Sequence, residues 1–322
     1  MRYLVTGGAG FIGSHLVDAL LADGHEAVVL DDCSTGSLAN LAQHRAEPRL
    51  TIVHGSVCDE LAVDEACRGC DRIIHLAAAV GVRRILERQV ASIVTNVRGT
   101  EVVLRAAEVH GRAPVFIAST SEAYGKQDRV PFNEDDDCVL GASRLQRWSY
   151  AASKLIDEFL ALAWHRERGL PVVVGRFFNV AGPRQSGAYG MVLPRFCAAA
   201  AAGKPLDVHG DGQQTRTFCH VADAVAAVRR LVDTPAAVGE VVNIGGAEEV
   251  SILALAHRVL ALAGSRAEVR LIPYHSAYPG GGFEDMRRRL PALAKIARLT
   301  GWTPERGLDE LIRDCLATAR PA

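Results

Sequence analysis

The 322-residue chain is predicted to be an α/β protein, with a doubly wound parallel sheet and a smaller α+β lobe toward its C-terminus. Its first half alternates short apolar runs with amphipathic stretches, a pattern typical of successive βαβ units. After Phe177 the apolar runs become fewer, and glycine and proline become frequent. This change indicates longer loops around a second lobe.

The predicted elements follow in chain order from the apolar periodicity. We expect strands at Tyr3–Val5, Ala27–Leu30, Leu50–Val53, Arg72–Leu76, Val115–Ala118 and Val172–Arg176. Apolar residues recur at three- and four-residue intervals in helices expected at Phe11–Ala22, Ser92–Val109, Tyr150–Arg166 and His220–Leu231. A strand-like Val241–Asn243 then returns toward the main sheet. We therefore assign residues 1–178 and about 214–243 to the main domain, and 179–213 and 244–322 to the second lobe.

Composition excludes several classes of protein. Hydrophobic residues make up 49% and charged residues 23% of the chain, as in globular proteins, and Lys+Arg 36 against Asp+Glu 37 leaves a formal charge of −1. Such a chain has no general basic field to attract nucleic acid or an anionic membrane. The sequence also has no apolar run of membrane-spanning length and no secretory signal pattern. We expect a cytoplasmic protein without nucleic-acid or membrane partners.

Cysteines and histidines do not form a recognisable metal site. The eight cysteines include one CxxC spacing, Cys67 with Cys70, but no second pair accompanies it. The eleven histidines are scattered, and His75 falls on a predicted buried strand. We therefore expect no metal, no disulfide framework and no redox motif.

A glycine-rich turn follows the first predicted strand and opens the first predicted helix. In the triplet Gly7, Gly10 and Gly13, the first glycine permits a tight turn, the second lets backbone approach a pyrophosphate, and the third lets the helix pack closely on the sheet. Asp31 ends the second strand, where its carboxylate can accept hydrogen bonds from ribose hydroxyls and would repel a 2′-phosphate. These features predict a Rossmann-like domain that binds NAD rather than NADP.

Tyr150 and Lys154 are four residues apart, on one face of a predicted helix. Because a nearby cation favours a phenolate, Lys154 is expected to lower the pKa of Tyr150 and make it a general base. The segment Ser119–Glu122 directly follows a strand, at the sheet edge where open α/β sheets place functional residues. These side chains are expected to meet the cofactor at one substrate.

On these motifs, the chain resembles the extended short-chain dehydrogenase/reductases that act on nucleotide sugars. The matching segments are Thr6–Gly13, His75–Ala78, Asn96–Thr100, Tyr150 with Lys154, Arg176–Asn179 and Gly210–Thr217. The resemblance implies NAD that is recycled as the sugar C4 hydroxyl is oxidised and later restored, with a hydroxyl from Thr120 assisting the tyrosine. It also implies cofactor contacts from Gly7, Gly10, Phe11, Ile12, Gly13, Asp31, Ser56, Val57, Leu76, Ala77, Ala78, Asn96, Tyr150 and Lys154. Ser56 stands where the family often has an aspartate beside the adenine, so that contact is expected to be weaker.

The residues before Tyr124 and around Tyr150 separate the activities within that family. Thr120–Glu122 and Arg147–Lys154 resemble the UDP-glucuronate decarboxylases, which implies loss of CO2 from a 4-keto intermediate to give UDP-xylose or a UDP-4-keto-pentose. Glu122, with Ser121 or an ordered water, would position or deliver the proton taken up at C5. The alternatives are a UDP-sugar 4-epimerase acting on UDP-glucose or UDP-glucuronate, an NDP-sugar 4,6-dehydratase, and a non-catalytic NAD-binding protein of the same fold.

The second lobe carries groups suited to a UDP-sugar. The resemblance implies diphosphate contacts from Asn179, Arg216 and one arginine of Arg287–Arg289, for which Arg289 is our candidate, and a part for Arg216 in decarboxylation. Candidates for binding the sugar carboxylate are Arg83, Arg84, Arg147 and Arg184. Met191, Val192, Leu193 and Val208 fall where the family encloses the base, which we expect to be uracil. The resemblance further implies a homodimer through a four-helix bundle made of the Ser92–Val109 and Tyr150 helices.

Overall fold

The computed structural model of the protein describes residues 1–81, 87–187, 191–277 and 286–319. In this part of the chain, apolar runs that are buried along most of their length form five of the first six strands, the third strand is more exposed, and shorter strands follow. The strands are β1 (Arg2–Thr6), β2 (Glu26–Asp31), β3 (Leu50–His54), β4 (Arg72–His75), β5 (Val115–Thr120), β6 (Val172–Phe177), β7 (Val180–Ala181), β8 (Leu206–His209), β9 (Thr215–Thr217), β10 (Cys219–His220), β11 (Val241–Ile244), β12 (Glu249–Ser251), β13 (Val269–Ile272) and β14 (Arg288–Arg289).

Helices connect most of these strands. They are α1 (Phe11–Ala22), α2 (Glu60–Cys67), α3 (Gln89–Val109), α4 (Trp148–Arg168), α5 (Val192–Ala201), α6 (Val221–Val232), α7 (Ile252–Ala263), α8 (Tyr274–Ala277), α9 (Ala294–Thr300) and α10 (Leu308–Thr318). The predicted bounds of α1 and the predicted end of α3 agree with the structure, whereas α3 begins three residues earlier and α4 extends two residues beyond each predicted end. The residues added to α3 are Gln89–Ala91, and those added to α4 are Trp148, Ser149, Glu167 and Arg168. Helix α4 ends where Gly169 adopts a left-handed conformation with φ of 68°.

The main sheet has seven described strands in the order β11-β6-β5-β4-β1-β2-β3. All its neighbours pair in parallel. The strand order reverses between β1 and β4, and ligand crevices in open α/β sheets lie at the carboxyl ends beside such a reversal. This topology confirms the predicted doubly wound α/β architecture.

Both faces of the main sheet are covered by helices. Successive residues of β1 point to opposite faces, so Val5 joins a core with Leu16 of α1 and Val225 of α6. Leu4 joins the core on the other face, which α2, α3 and α4 cover with residues such as Val103. The main sheet is therefore held between two apolar layers, and the loops that follow its strands can form a site.

The second lobe has its own small core. Phe196 of α5, Leu255 of α7 and Ile312 of α10 pack against Val208 of β8. Strand β9 belongs to the stretch 214–243 that we assigned to the main domain, but it lies between β12 and β14 of this lobe, and β13 pairs with β8. The chain returns to the main sheet between these segments, because β11 pairs with β6 while α6 covers the sheet. The exact division into two domains stays a prediction.

The CxxC spacing lies where α2 ends and β4 is about to begin. Cys67 and Cys70 are both free and buried. Burial raises the pKa of Cys67 to about 12 and that of Cys70 to about 11, which keeps both as thiols. Among the described residues, no three His, Cys, Asp or Glu side chains are grouped as metal ligands would be, and no helix has the length and apolar character to cross a membrane.

Candidate active site

A cleft of about 370 Å³ opens at the carboxyl ends of the main-sheet strands, between the sheet and the second lobe. Most of the predicted site residues meet there. Its lining includes Gly7, Gly10, Phe11, Ile12, Gly13, Asp31, Val57, Leu76, Ala77, Ala78, Thr120, Ser121, Glu122, Tyr150, Lys154, Asn179, Arg184, Met191 and Arg289. Seven predicted site residues are not part of this lining, namely Ser56, Asn96, Arg147, Val192, Leu193, Val208 and Arg216, and Arg83 and Arg84 fall outside the described residues.

The glycine turn forms one end of the cleft. Gly7 has a φ of +70°, and the amide of Gly10 closes the turn by donating to the Gly7 carbonyl at 3.0 Å. A Cβ on Gly13 would lie 2.2 Å from the Gly7 carbonyl oxygen, so this close contact requires glycine. The N-terminus of α1 begins at Phe11 and has no acidic side chain in its first turn. The positive end of the helix and the bare turn suit a pyrophosphate.

Asp31 joins the end of β2 to the glycine turn. Its Oδ2 accepts from the Ala9 amide at 2.9 Å, and its Oδ1 accepts from the Cys33 amide at 2.8 Å. Burial raises the pKa of Asp31, and the two amides lower it only in part. Each carboxylate oxygen has further acceptor capacity toward the cleft. The residues present therefore fit the adenosine ribose of NAD.

Two of the predicted cofactor residues lie behind the cleft lining. The side chain of Asn96 accepts from the Ala79 amide at 2.8 Å and donates to the Ser153 hydroxyl at 3.0 Å. Asn96 thus holds the loop after β4 against α4. The Ser56 hydroxyl accepts from the Cys58 amide at 3.2 Å, so it shapes the turn after β3.

Tyr150 lies in the cleft wall beside Thr120, whose hydroxyl forms a hydrogen bond with it. Burial raises the pKa of Tyr150, and the charges of Glu122 and Asp157 raise it further. Lys154 was expected to lower it, but in this structure the Lys154 ammonium donates to Asp157 at 2.6 Å. The expected direct effect of the lysine on the phenol is therefore not seen, because a buried carboxylate neutralises the ammonium.

Glu122 stands in a short turn directly after β5 and faces arginines from three segments. Arg147 donates to its Oε2, and Arg289 lies 3.5 Å from its Oε1. Burial acts to raise the pKa of Glu122, but Arg147, Arg289 and Arg216 outweigh it and hold the pKa at about 2. Glu122 is therefore ionised at neutral pH. This favours a positioning part for Glu122 over the delivery of its own proton.

The second lobe contributes its arginines through paired strands. Arg216 on β9 and Arg289 on β14 are register partners, which places both on the side of the lobe that faces Glu122. Arg287 and Arg288 instead pair with Asp211 and Glu249 at the surface. Of the three-arginine cluster, the structure thus brings Arg289 into the cleft.

The other predicted substrate residues lie either in the cleft lining or in and against the core of the second lobe. Asn179 lines the cleft with φ of 40°, and its amide donates to the Thr217 carbonyl at 2.8 Å. Arg184 also lines the cleft, but it donates to Asp18 of α1 at 2.6 Å and so faces the glycine-turn side. Met191 and Val192 lie at the start of α5, while Leu193 and Val208 are buried in the second core.

Sequence reasoning missed Asp157 and Asp18, the partners of Lys154 and Arg184. Asp157 follows Lys154 by three residues, which places both on one helix face, so its spacing was a usable signal. Asp18 is 166 residues from Arg184, and only the tertiary fold brings them together.

A match to a protein-family model decides the relationship. Residues 3–245 match the model described as the NAD dependent epimerase/dehydratase family. The chain belongs to this family. The family's dependence on NAD confirms the predicted cofactor. NAD accepts hydride when it is bound. The Gly7–Gly13 turn and Asp31 would hold it.

Individual relatives in this family cover nearly the whole chain. A UDP-N-acetyl-alpha-D-glucosaminuronate decarboxylase of Bacillus cytotoxicus is 39% identical over 97% of both proteins. UDP-glucuronic acid decarboxylase 1 of Danio rerio is 33% identical over 97% of this chain and 72% of that protein. The solved structure of UDP-glucuronic acid 4-epimerase from Bacillus cereus, in complex with UDP-glucuronic acid and NAD, superposes with a TM-score of 0.89 at 27% identity, over 99% of each chain.

The Gly13→Ala variant tests the cofactor turn. Its added methyl group would push against the Gly7 carbonyl, and a displacement of about 1 Å is expected to lower NAD affinity about 100-fold. Isothermal titration of NAD-free protein measures this. Gly307→Ala is the control, because a Cβ there meets no atom within 4 Å. Equal NAD affinity in Gly13→Ala and wild-type protein would contradict the assignment.

Proposed function

We propose that the protein is an NAD-dependent UDP-glucuronate decarboxylase, which gives UDP-xylose, a UDP-4-keto-pentose or both. The observation that carries this proposal is the placement of Glu122 and its arginines beside Tyr150 and Thr120. A substrate with a carboxylate at C5 and a diphosphate needs cationic groups on both sides of the reacting sugar. The named activities of the relatives from Bacillus cytotoxicus and Danio rerio support the same reaction class.

Tyr150 would accept the proton of the C4 hydroxyl, with Thr120 holding the phenol by its hydrogen bond. NAD, held by the Gly7–Gly13 turn and Asp31, would supply the hydride acceptor for oxidation at C4, and the product would be a ketone β to the C5 carboxylate. Such a β-keto acid loses CO2 once the developing enolate is stabilised, and Tyr150 with Thr120 can donate to the enolate oxygen. The pair would therefore serve both the oxidation and the carbon–carbon cleavage.

Glu122 would balance the arginines during this cleavage. Arg147, Arg216 and Arg289 attract anions, and an unbalanced cluster would hold the substrate carboxylate more tightly than the transition state that loses it. The ionised Glu122 offsets that attraction. Because it carries no proton at neutral pH, it would orient a water that protonates C5, with Ser121 beside it in the cleft.

A second candidate substrate is UDP-N-acetylglucosaminuronate, which the 39% identity to the Bacillus cytotoxicus protein favours. It has the same C4 hydroxyl and C5 carboxylate, so the same residues would act on it. A UDP-sugar 4-epimerase is the alternative reaction, and it needs Tyr150 and Thr120 but no loss of carbon.

The reaction is tested by incubating the purified protein separately with UDP-glucuronate, UDP-N-acetylglucosaminuronate and UDP-glucose. Mass spectrometry and proton NMR of each nucleotide sugar are expected to show loss of CO2 from a uronate and no change in UDP-glucose. Inversion at C4 without a change of mass would replace the proposal with a 4-epimerase.

The Glu122→Gln variant separates oxidation from the later steps. It is expected to reduce bound NAD with UDP-glucuronate, while CO2 release slows about 100-fold because the unbalanced arginines hold the substrate carboxylate. Absorbance at 340 nm and CO2 release measure the two steps. Glu249→Gln, at a carboxylate paired with Arg288 outside the cleft, is the control. Wild-type CO2 release in Glu122→Gln would refute this part of the proposal.

We also propose a cytoplasmic homodimer in which α3 and α4 form a four-helix bundle with their copies. Helix α4 exposes Phe159 by 62% and Ile156 by 45%, and α3 exposes Val90 by 78% and Val94 by 51%. Apolar side chains this exposed on adjoining helices are typical of an interface. The cytoplasmic location is supported by the cysteines, all eight of which are free.

The Phe159→Glu variant tests the dimer. A buried charge on each side of the two-fold axis is expected to convert the dimer to a monomer, as measured by light scattering coupled to size-exclusion chromatography. Leu61→Glu, at an even more exposed apolar site on α2, is expected to leave the mass unchanged. A wild-type protein that is already monomeric would reject the bundle.

A further inference from the structure

Lys154 is held by a buried carboxylate from its own helix. Its Nζ lies 2.6 Å from Oδ2 of Asp157, and the two side chains are 3% and 0% exposed. The two residues are three positions apart and lie on one face of α4. An ion pair this far removed from water is strongly coupled, because neither charge has solvent as an alternative partner.

A hydrogen-bonded chain connects this ion pair to the cleft. The Thr100 hydroxyl interacts with the Asp157 carboxylate and lies 3.2 Å from Nε2 of His75. His75 Nδ1 lies 2.8 Å from the Thr6 hydroxyl, which accepts from the Ala77 amide in the cleft lining at 3.2 Å. Burial, with a smaller contribution from Lys154, lowers the pKa of His75 to about 3. A neutral imidazole therefore links three segments and adds no charge of its own.

We propose that Asp157 is a positioning residue that sets the pH at which Tyr150 accepts the proton of the C4 hydroxyl. This rests on the proposed function of Tyr150 as the base. The Asp157 carboxylate holds the lysine ammonium in a buried ion pair, and its negative charge acts on the phenol. Both effects oppose formation of a phenolate.

The charged groups around Tyr150 other than Asp157 are not altered when Asp157 is replaced. Glu122 faces it from the turn after β5, and Arg147 faces it from the residue that precedes α4. Arg289 and Arg216 act on Glu122 from the second lobe, and Glu158 lies near Asp157 on α4, paired with Arg176. Since these groups stay in place, removing the Asp157 charge isolates its effect on the phenol.

The test is the pH dependence of single-turnover C4 oxidation, followed as absorbance at 340 nm with UDP-glucuronate. Asp157→Asn is expected to move the midpoint of the rising limb about one pH unit toward acid. Asp157→Ser removes the same charge from a smaller side chain and keeps the test available if the asparagine variant does not fold. Asp157→Glu is expected to restore the wild-type midpoint. Glu167→Gln removes a charge from the exposed end of the same helix and is expected to leave the midpoint unchanged.

A second readout requires no substrate. Trace acetylation of the NAD-free protein at pH 8 is expected to label Lys154 several-fold more in Asp157→Asn than in wild-type protein, relative to the exposed Lys204. Loss of the carboxylate removes the ion pair that holds the Lys154 nitrogen away from the reagent. Equal labelling, or an unchanged midpoint in a variant with wild-type thermal stability, would overturn the proposal. A wild-type protein that oxidises no UDP-sugar would instead reject the proposed function, and the labelling would still decide whether Asp157 holds Lys154.

Discussion

The buried pair between Arg176 on β6 and Glu158 on α4 fixes the geometry on which the candidate active site depends. Arg176 donates to Glu158 through Nη2 at 2.7 Å and through Nε at 3.0 Å, and the Ser119 hydroxyl of β5 donates to the same carboxylate. Tyr124 lies under the guanidinium at 4.6 Å and donates to Asn243 of β11 at 2.8 Å. One ion pair thus ties α4, which carries Tyr150, to three neighbouring strands. Breaking this ion pair would leave an unpaired charge in the core. The large free-energy penalty of such a charge keeps the arrangement in place.

Much of this organisation could be predicted from the sequence where local chemistry determines structure. The glycine turn, α1 and the parallel strands follow from residue spacing, because a Cβ-free turn and a buried apolar run each permit few conformations. Asp157 lay within reach of the same reasoning, since helix geometry places it beside Lys154. The exclusion of water from the Lys154–Asp157 pair could not be inferred, because its burial depends on the packing of α3 against it.

The arginines show where sequence reasoning reaches its limit. Arg216 and Arg289 become neighbours only because β9 and β14 pair in parallel, and Arg184 is drawn toward Asp18 by the contact between the two lobes. A chain with a net charge of −1 can therefore still present two concentrated anion-attracting regions, the N-terminus of α1 and the arginines around Glu122. Tyr150 lines the same cleft as Phe11 at the N-terminus of α1 and Arg289 beside Glu122.

The return of the chain to the main sheet at β11 has a consequence for recombination between relatives. The second lobe is assembled from segments on both sides of α6 and β11, and these two elements complete the core that α1 begins. A chimera made with one crossover after β6 would bring in a foreign edge strand together with the foreign lobe. Exchange of sugar specificity within this architecture requires three junctions, after β6, before α6 and after β11. Substitution of individual side chains in the cleft is therefore the shorter route by which such enzymes can diverge.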